Sequence, residues 1–396
     1  MRSTFSKLLL ISVFAVSIFT IPDLENTGIH SLPVRLQQKP KKVQTKLAGV
    51  ARAHFEQLIE EDIYPDRNNV YFMATLPLGD DKIMSELIID SGSSVMWIPK
   101  EECGPNHDSG LARDCDVAET TVSLFYLDGD IHGRRGNTSI WMNHGQNKSV
   151  GHQFIVVEMR SEYMENGILG LAKGTDDSYK TFLQTLKDNG LIKDTAFSVF
   201  KNNDKLELII GGINLDKLPG NKIFAEAPIK SPDSFKFDLD FVKLGHLSFV
   251  MKKTEALLDT GNTLISFPIK YANSIINYLS LTRISCYLEL EVNPMFSGLI
   301  CRLGPGTQAF PPLLITIGGK QFKLSGNSLI EKCQENETSF SALLGEEAEG
   351  TEDCVIRMEF QTRAPYITLG KAFVEEVYTT IDSGHGKISF VQSVGA

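Results

Sequence analysis

Two aspartates in this 396-residue sequence stand in matching surroundings. Asp90 follows Leu87-Ile88-Ile89, Asp259 follows Ala256-Leu257-Leu258, and each is followed by a hydroxyl residue and a glycine. A carboxylate that ends an apolar run is expected to be buried, which is costly unless partners or a shifted pKa compensate. Two such carboxylates side by side cannot both stay ionised, and a pair that shares one proton can activate a water while polarising a carbonyl. The spacing therefore predicts acid–base chemistry on a bound water, with no metal, cofactor or covalent nucleophile.

The residues after each aspartate are suited to hold its carboxylate. Gly92 and Gly261 let backbone N–H groups approach the carboxylate oxygens, because glycine has no side chain in the way. Neighbouring hydroxyl and amide groups can donate to the same oxygens or brace the opposite loop. The predicted support residues are Ser91, Gly92, Ser93, Thr260, Gly261, Asn262 and Thr263.

These motifs belong to a weak internal repeat with a period of 169 residues. Both copies reach a proline nine positions after the aspartate, and both have a downstream echo, in residues 167–171 and 366–370. A third Asp-Ser-Gly, at Asp382, lacks this context and is predicted to lie in a turn. The repeat predicts two related lobes, each of which brings one aspartate to their interface.

The elements that position the aspartates are predicted to be strands. From residue 70 onward, short β-type segments are separated by Gly, Asn and Asp, which indicates a mainly β protein. Apolar residues between Tyr179 and Leu186 fall on one helical face that Asn189-Gly190 ends, and a second helix is predicted in 269–278.

The N-terminus has the pattern of a secretory signal peptide, which we place at residues 1–17. Arg2 and Lys7 precede an apolar run over residues 8–21, and Ala15-Val16-Ser17 offers small residues for cleavage. That run is shorter than the roughly 20 residues that span a bilayer, so no membrane anchor is expected. The mature product is predicted to be secreted or lysosomal.

A basic leader precedes an acidic body. Residues 1–60 hold eight Lys or Arg and four Asp or Glu, whereas the remaining residues hold 31 and 45. The leader is either a solvated tail or a propeptide, placed at about residues 18–65, that neutralises an acidic cleft until acid protonates the carboxylates. The acidic body argues against nucleic-acid binding.

Six cysteines in a chain addressed to an oxidising compartment predict three disulfides. Cys103 and Cys115 close a short loop, and the other four cysteines lie together in the last third of the chain. Glycosylation sequons at Asn137, Asn147 and Asn336 suit the same compartment.

Several motifs, in order over about residues 70–392, resemble those of the pepsin-like aspartic protease family, which includes pepsin and cathepsin D. The similar segments are 71–75, 90–99, 166–172, 182–200, 209–212, 257–268 and 369–390. The resemblance implies a mainly β, bilobal fold, with two β-barrel-like lobes, at 66–206 and 207–396, and the active-site cleft between them. It implies catalysis by Asp90 and Asp259, extended peptide substrates and a monomer inhibited by its own propeptide.

The family also has a mobile hairpin, the flap, that closes over substrate. By position, Tyr126 is the flap tyrosine, Trp97 its hydrogen-bond partner, and Asp128 and Ile168 are expected at the substrate. Pairing of Cys301 with Cys354 would match the family's C-terminal bridge, which leaves Cys286 with Cys333 as an additional one.

Three departures from the family pattern concern the same site. Leu127-Asp128 replaces Gly-Thr after the flap tyrosine, Asn262 replaces a hydroxyl residue, and Lys371 replaces an Asp. An ammonium near the aspartates would lower their pKa values by charge alone. The prediction is a zymogen of an aspartic endopeptidase acting at acid pH; the alternative is a pepsin-like secreted binding protein with weak or no catalysis.

Overall fold

The computed structural model describes most of the chain from residue 70 onward and one earlier strand. The described ranges are 30–38, 70–80, 82–102, 116–126, 129–142, 148–160, 166–174, 179–202, 205–212, 223–250, 254–290, 295–304, 309–335, 352–362 and 364–392. Cys103, Cys115, Asp128, Asn147 and Asn336 lie outside the described residues, so the predictions made for them stay predictions.

Strands dominate the first half of the molecule, as the alternating apolar pattern predicts. They are β1 (His30–Gln38), β2 (Val70–Leu78), β3 (Ile83–Asp90), β4 (Trp97–Pro99), β5 (Asp116–Tyr126), β6 (Gly129–Met142), β7 (Lys148–Arg160), β8 (Gly167–Gly170), β9 (Ala196–Asn202) and β10 (Lys205–Ile210).

Strands also make up most of the second half. They are β11 (Ala225–Pro228), β12 (Lys236–Leu239), β13 (Phe241–Leu244), β14 (Leu247–Val250), β15 (Thr254–Leu258), β16 (Ile265–Pro268), β17 (Ser285–Leu290), β18 (Phe296–Leu303), β19 (Leu313–Ile317), β20 (Lys320–Leu324), β21 (Ile330–Glu335), β22 (Glu352–Gln361), β23 (Ile367–Leu369), β24 (Val377–Asp382) and β25 (Lys387–Gln392).

Three sheets organise these strands into two lobes around a large apolar core. The largest has the order β11-β25-β24-β9-β10-β1-β2-β3-β8-β4-β7-β6-β5, so the last strands of the chain pair with those that end the first lobe. The second lobe holds β12-β15-β23-β16-β22-β18-β17, with β21 beside β22, and the small sheet β14-β13-β19-β20. The mainly β, two-lobed prediction is confirmed.

Helices in the described residues are short; the first two lie near their predicted places, and the third was not predicted. They are α1 (Phe182–Asp188), α2 (Ala272–Leu281) and α3 (Lys371–Val374), with 3-10 turns at Lys100–Glu102 and Ile269–Tyr271. The Thr181 hydroxyl accepts from the Gln184 N–H at the start of α1, and Asn189 ends it before Gly190, whose φ of +66° suits a residue without a side chain. No helix among the described residues has the length and apolarity to cross a membrane.

Two details concern the expected domain limits, which stay predictions. The boundary expected between residues 206 and 207 falls inside β10. Strand β1, inside the segment expected to be a propeptide, pairs antiparallel with β10 and β2 in the sheet that joins the lobes.

The cysteine pairing expected in the second lobe is wrong. Cys286, Cys301, Cys354 and Cys333 lie in one row across β17, β18, β22 and β21. The bonds are Cys286–Cys301 and Cys333–Cys354, with Cα atoms 4.1 and 4.0 Å apart. Because adjacent strands are about 4.8 Å apart, the outer two cysteines, Cys286 and Cys333, are about 14 Å apart and cannot bond. A bond between the inner two, Cys301 and Cys354, would therefore leave the outer two without a disulfide partner.

Candidate active site

The two aspartates end equivalent strands. Asp90 is the last residue of β3 and Asp259 follows β15 directly. Strand β3 pairs in parallel with β8, and β15 pairs in parallel with β23, which are the two downstream echoes of the sequence repeat. The repeat therefore encodes a repeated local structure that ends in a carboxylate.

A crossed set of hydrogen bonds joins the two loops. The Ser91 N–H donates to Thr260 Oγ1 (2.9 Å), and the Thr260 N–H donates to Ser91 Oγ (2.8 Å). Each hydroxyl also donates across the interface to a backbone carbonyl, Ser91 to Leu258 (3.1 Å) and Thr260 to Ile89 (2.9 Å). All these groups are buried, so the bonds fix one loop against the other.

Both carboxylates lie at this junction. The Gly92 N–H donates to Asp90 Oδ1 (2.7 Å), and the Gly261 N–H donates to Asp259 Oδ1 (2.9 Å). Each glycine also faces the other lobe's aspartate: a Cβ on Gly92 would lie 2.7 Å from Asp259 Oδ1, and one on Gly261 would lie 2.9 Å from Asp90 Cγ. The structure therefore brings together the predicted pair, and glycine is needed at both positions because any side chain would collide with a carboxylate.

Burial sets the acidity of Asp90. Its side chain belongs to a residue that is 6% exposed, whereas Asp259 is partly exposed. Loss of solvent raises the pKa of Asp90, and hydrogen bonds from Ser93, Gly92 and Asp259 offset part of that rise. A raised pKa beside a second carboxyl favours a pair that holds one proton.

The third residue after each aspartate behaves differently in the two loops. Ser93 Oγ donates to Asp90 Oδ2, as predicted for a support residue. The Asn262 side-chain amide donates to Ser266 Oγ (2.6 Å). We expected this amide to donate to the Asp259 carboxylate. In the structure it points into the second lobe, toward Ser266. Thr263 is buried, and its carbonyl accepts from the Ala372 N–H (3.3 Å).

Tyr126 lies beside the first loop at the end of β5. Burial and the charge of Asp90 raise its pKa, while the Ser93 and Trp97 side chains next to the hydroxyl lower it in part. Trp97 Nε1 is buried and makes no hydrogen bond of 3.5 Å or less within the described residues. The predicted neighbourhood of Tyr126 and Trp97 is present, with the indole close enough to the tyrosine hydroxyl to lower its pKa.

Ile168 was expected to contact substrate, and the structure corrects this expectation. Its side chain is 1% exposed and lies in the core, on β8 between Ile88 and Trp97. Because the whole four-residue strand is buried, Ile168 packs in the core of the first lobe and presents almost no surface to the cleft.

Lys371 is held by a carboxylate of its own. Its ammonium pairs with Glu375 (3.0 Å), which also binds Arg357, and all three side chains are largely buried. Burial lowers the pKa of Lys371, and Glu375 offsets part of the effect. The charge of the ammonium is therefore balanced by Glu375. The backbone N–H of Lys371 donates to the Asn262 carbonyl (2.8 Å).

Sequence reasoning missed Glu359, Arg357 and Glu375 around the second loop. Glu359 is 2% exposed and accepts a hydrogen bond from Ser266. Alternation along β22 would place Glu359 on the face of Val355 and Arg357, opposite the buried Ile356 and Met358, so the pattern of this strand held no signal that Glu359 is buried.

Among the residues that the structure describes, one cluster has metal-ligand spacing, formed by Cys333, Glu352 and Cys354. Its two sulfurs are joined in a disulfide, which removes the thiolates that a metal would need.

Comparisons with known proteins agree on one family. A profile described as "Eukaryotic aspartyl protease" matches residues 71–393. Vacuolar protease A of Aspergillus fumigatus is 21% identical over 88% of each chain, and the acid protease of Saccharomycopsis fibuligera is 24% identical over 98% of this chain and 99% of its own. Secreted aspartic protease 3 of Candida albicans is 23% identical over 52% of this chain and 56% of its own.

Proposed function

The chain belongs to the eukaryotic aspartyl protease family and is an aspartic-type endopeptidase, and we propose that Asp90 and Asp259 are its catalytic carboxylates. The observation that carries the proposal is the crossed arrangement in which each loop's glycine faces the other loop's aspartate. Residues 169 positions apart in sequence meet at this junction, so both carboxylates are placed where they can serve one reaction centre.

Peptide hydrolysis by this pair needs one shared proton, a known property of aspartic proteases. The ionised carboxylate takes a proton from a water between the two groups, and the protonated carboxyl donates to the scissile carbonyl oxygen. The Gly92 and Gly261 N–H groups stabilise the negative charge on the inner oxygens throughout. Tyr126, beside Ser93 and Trp97, closes the first-lobe side and limits water.

The enzyme is made as a zymogen in the secretory pathway, with a signal peptide at residues 1–17 and a propeptide at about 18–65. Support comes from β1, which lies within that propeptide and pairs with β2 and β10 in the sheet between the lobes. The two disulfides and the vacuolar and secreted relatives suit this pathway, with a lysosome-like or extracellular destination. Asn137, exposed on β6, is accessible for glycosylation.

Acid activates the enzyme, because protonation of acidic body residues releases the basic leader. Because the pKa of Asp90 is raised, the carboxylate pair holds its shared proton more readily under acidic conditions. The expected state is a monomer that cleaves extended peptides.

The test is incubation of the purified full chain between about pH 3 and 5, where a carboxylate pair shares its proton. We expect the leader to be lost and a denatured protein to be cleaved, both blocked by pepstatin. The Asp90→Asn variant is the matched control for contaminating proteases. Absence of pepstatin-sensitive cleavage at every acidic pH would overturn the proposal in favour of a secreted binding protein.

A further inference from the structure

Three buried polar side chains form a chain that leads away from the second aspartate loop. Asn262 Nδ2 donates to Ser266 Oγ (2.6 Å), and Ser266 Oγ donates to Glu359 Oε1. Their residues are 7%, 1% and 2% exposed. A carboxylate at such depth costs free energy, which hydrogen bonds must offset.

Strand register identifies the first-lobe equivalents of these residues. Counted from the aspartates, Asn262 corresponds to Ser93 and Ser266 to Trp97. Ser266 lies opposite Glu359 in the parallel pair of β16 and β22, just as Trp97 lies opposite Ile155 in the parallel pair of β4 and β7. The same scaffold is therefore stable with an apolar residue where the second lobe buries a glutamate, so folding alone does not explain Glu359.

The difference changes what reaches the catalytic carboxylates. In the first loop the Ser93 hydroxyl donates to Asp90 Oδ2. In the second loop the Asn262 amide is committed to Ser266, whose own proton is committed to Glu359. Because Glu359 fixes the Ser266 hydroxyl as a donor toward itself, the free lone pairs of that hydroxyl face the Asn262 amide.

We propose that Ser266 and Glu359 are positioning residues that hold the Asn262 amide away from Asp259 and thereby set the acidity of the carboxylate pair. The proposal rests on the catalytic role of Asp90 and Asp259. A hydrogen bond to an ionised carboxyl lowers its pKa. Withholding the amide therefore raises the pH at which the ionised carboxylate of the pair takes up a proton, and that pH sets the acid limb of the activity profile.

Other charged groups are packed against the same loop. Lys371 on α3 and Glu375, which follows that helix directly, are bound to one another, and Glu375 also binds Arg357 on β22. From the first lobe, Asp90 faces Asp259, and the Tyr126 hydroxyl lies near Asp90. None of these groups contacts the Ser266 hydroxyl in the contacts described above, so substitution of Ser266 leaves their charges in place.

The deciding variant is Ser266→Ala, which frees the Asn262 amide to turn toward Asp259. We expect the acid limb of the kcat/KM profile to move about one unit to lower pH, the effect of one added hydrogen bond on a carboxyl pKa. Ser266→Thr keeps the hydroxyl and should keep the wild-type profile. Gln361→Ala, on the same strand as Glu359 but bound to the Tyr366 carbonyl, is the matched control and should not move the limb.

A variant cycle separates positioning from general disturbance. In an Asn262→Ala background no amide remains to be redirected, so adding Ser266→Ala should shift nothing. A shift of the same size in that background, or an unchanged profile in Ser266→Ala alone, would overturn the proposal. Glu359→Gln tests the far end of the chain and should give a smaller shift in the same direction.

A second measurement does not depend on turnover. Titration of carbon-13-labelled aspartate carboxyls by NMR follows the pair directly, and Ser266→Ala should lower its apparent pKa whether or not substrate is cleaved. If no variant and no wild-type sample cleaves peptide, the proposed function fails; if cleavage occurs but neither the profile nor the titration differs, only the positioning role fails.

Discussion

The two aspartate loops share the bonds that bring their carboxylates together and differ in what lies behind them. In each loop a glycine N–H donates to that loop's own carboxylate. In each loop a hydroxyl oxygen also accepts a hydrogen bond from a backbone N–H of the other loop. Behind the first loop lie the Ser93 hydroxyl and the aromatic pair Trp97 and Tyr126.

Behind the second loop lie a polar chain and a buried ion cluster. Asn262 binds into the chain that ends at Glu359, and Glu375 holds both Arg357 and Lys371. The comparison teaches that a pair of carboxylates requires symmetry only where the loops touch. Beyond that point each lobe is free to tune its own aspartate.

The largest expected effect breaks the shared part. Asp90→Asn and Asp259→Asn should each lower kcat/KM by about 10³-fold or more, because a neutral amide can neither take nor give the catalytic proton. Asp382→Asn should leave activity nearly unchanged, since Asp382 lies in a hairpin turn where it binds His385. Equal losses in all three variants, measured on a denatured protein substrate, would contradict the assignment.

The second effect removes the buried ion cluster behind the second loop. Glu375→Gln leaves Arg357 and Lys371 as buried cations without their carboxylate, which should lower the free energy of unfolding by about 3–5 kcal/mol. Urea unfolding at neutral pH measures the loss. Glu226→Gln, which breaks a more exposed pair with Lys387 (2.7 Å), is the control and should cost less than about 1 kcal/mol. Similar losses in both variants would contradict a structural role of the cluster.

The third effect separates the lobes by pH. Burial lowers the pKa of His152, which is bonded to Thr185 on α1, from 6.5 to about 3. Burial alone would raise the pKa of Glu375, but the charges of Arg357 and Lys371 lower it from 4.5 to about 2. Neutral His152 contributes stability above pH 6.5 that is lost as the pH falls toward 3, whereas ionised Glu375 contributes stability above pH 4.5 that is lost toward 2.

As the pH falls from 6.5 to 4.5, therefore, the first lobe should lose free energy of unfolding before the second lobe does. The His152→Phe variant should remove a slope of about 1.4 kcal/mol per pH unit in the free energy of unfolding across that window. Denaturant unfolding in an Asp90→Asn background avoids self-cleavage. Parallel curves for the two proteins would show that His152 is not the titrating group.

The smallest effect makes the loops more alike. Asn262→Thr supplies a hydroxyl at the position where Ser93 donates to Asp90. It should move the acid limb of the kcat/KM profile to lower pH by up to about one unit, because a new donor stabilises ionised Asp259. An acid limb that stays in place or moves upward would mean that the hydroxyl does not reach the carboxylate.

Much of the fold and the core of the site was predictable from sequence. The matched surroundings of Asp90 and Asp259 identify a pair of loops, and the structure brings both to one junction. Helix α1 was predictable because its apolar face and its Asn189-Gly190 end are local features. The lobe limit at residue 206 stays a prediction; it falls inside β10, which continues the pairing of β9, and local composition does not reveal that pairing.

By itself, the sequence determined which carboxylates form the pair and that two similar halves hold them, because short repeated patterns encode short repeated structures. Only the tertiary structure decided that Cys286 bonds Cys301, that Ile168 is buried in the core and that the Asn262 amide faces Ser266. Each of these depends on which residues stand opposite one another in strands distant in sequence. A change of one residue in that register turns a side chain to the other face of the sheet, so spacing along the chain cannot specify it.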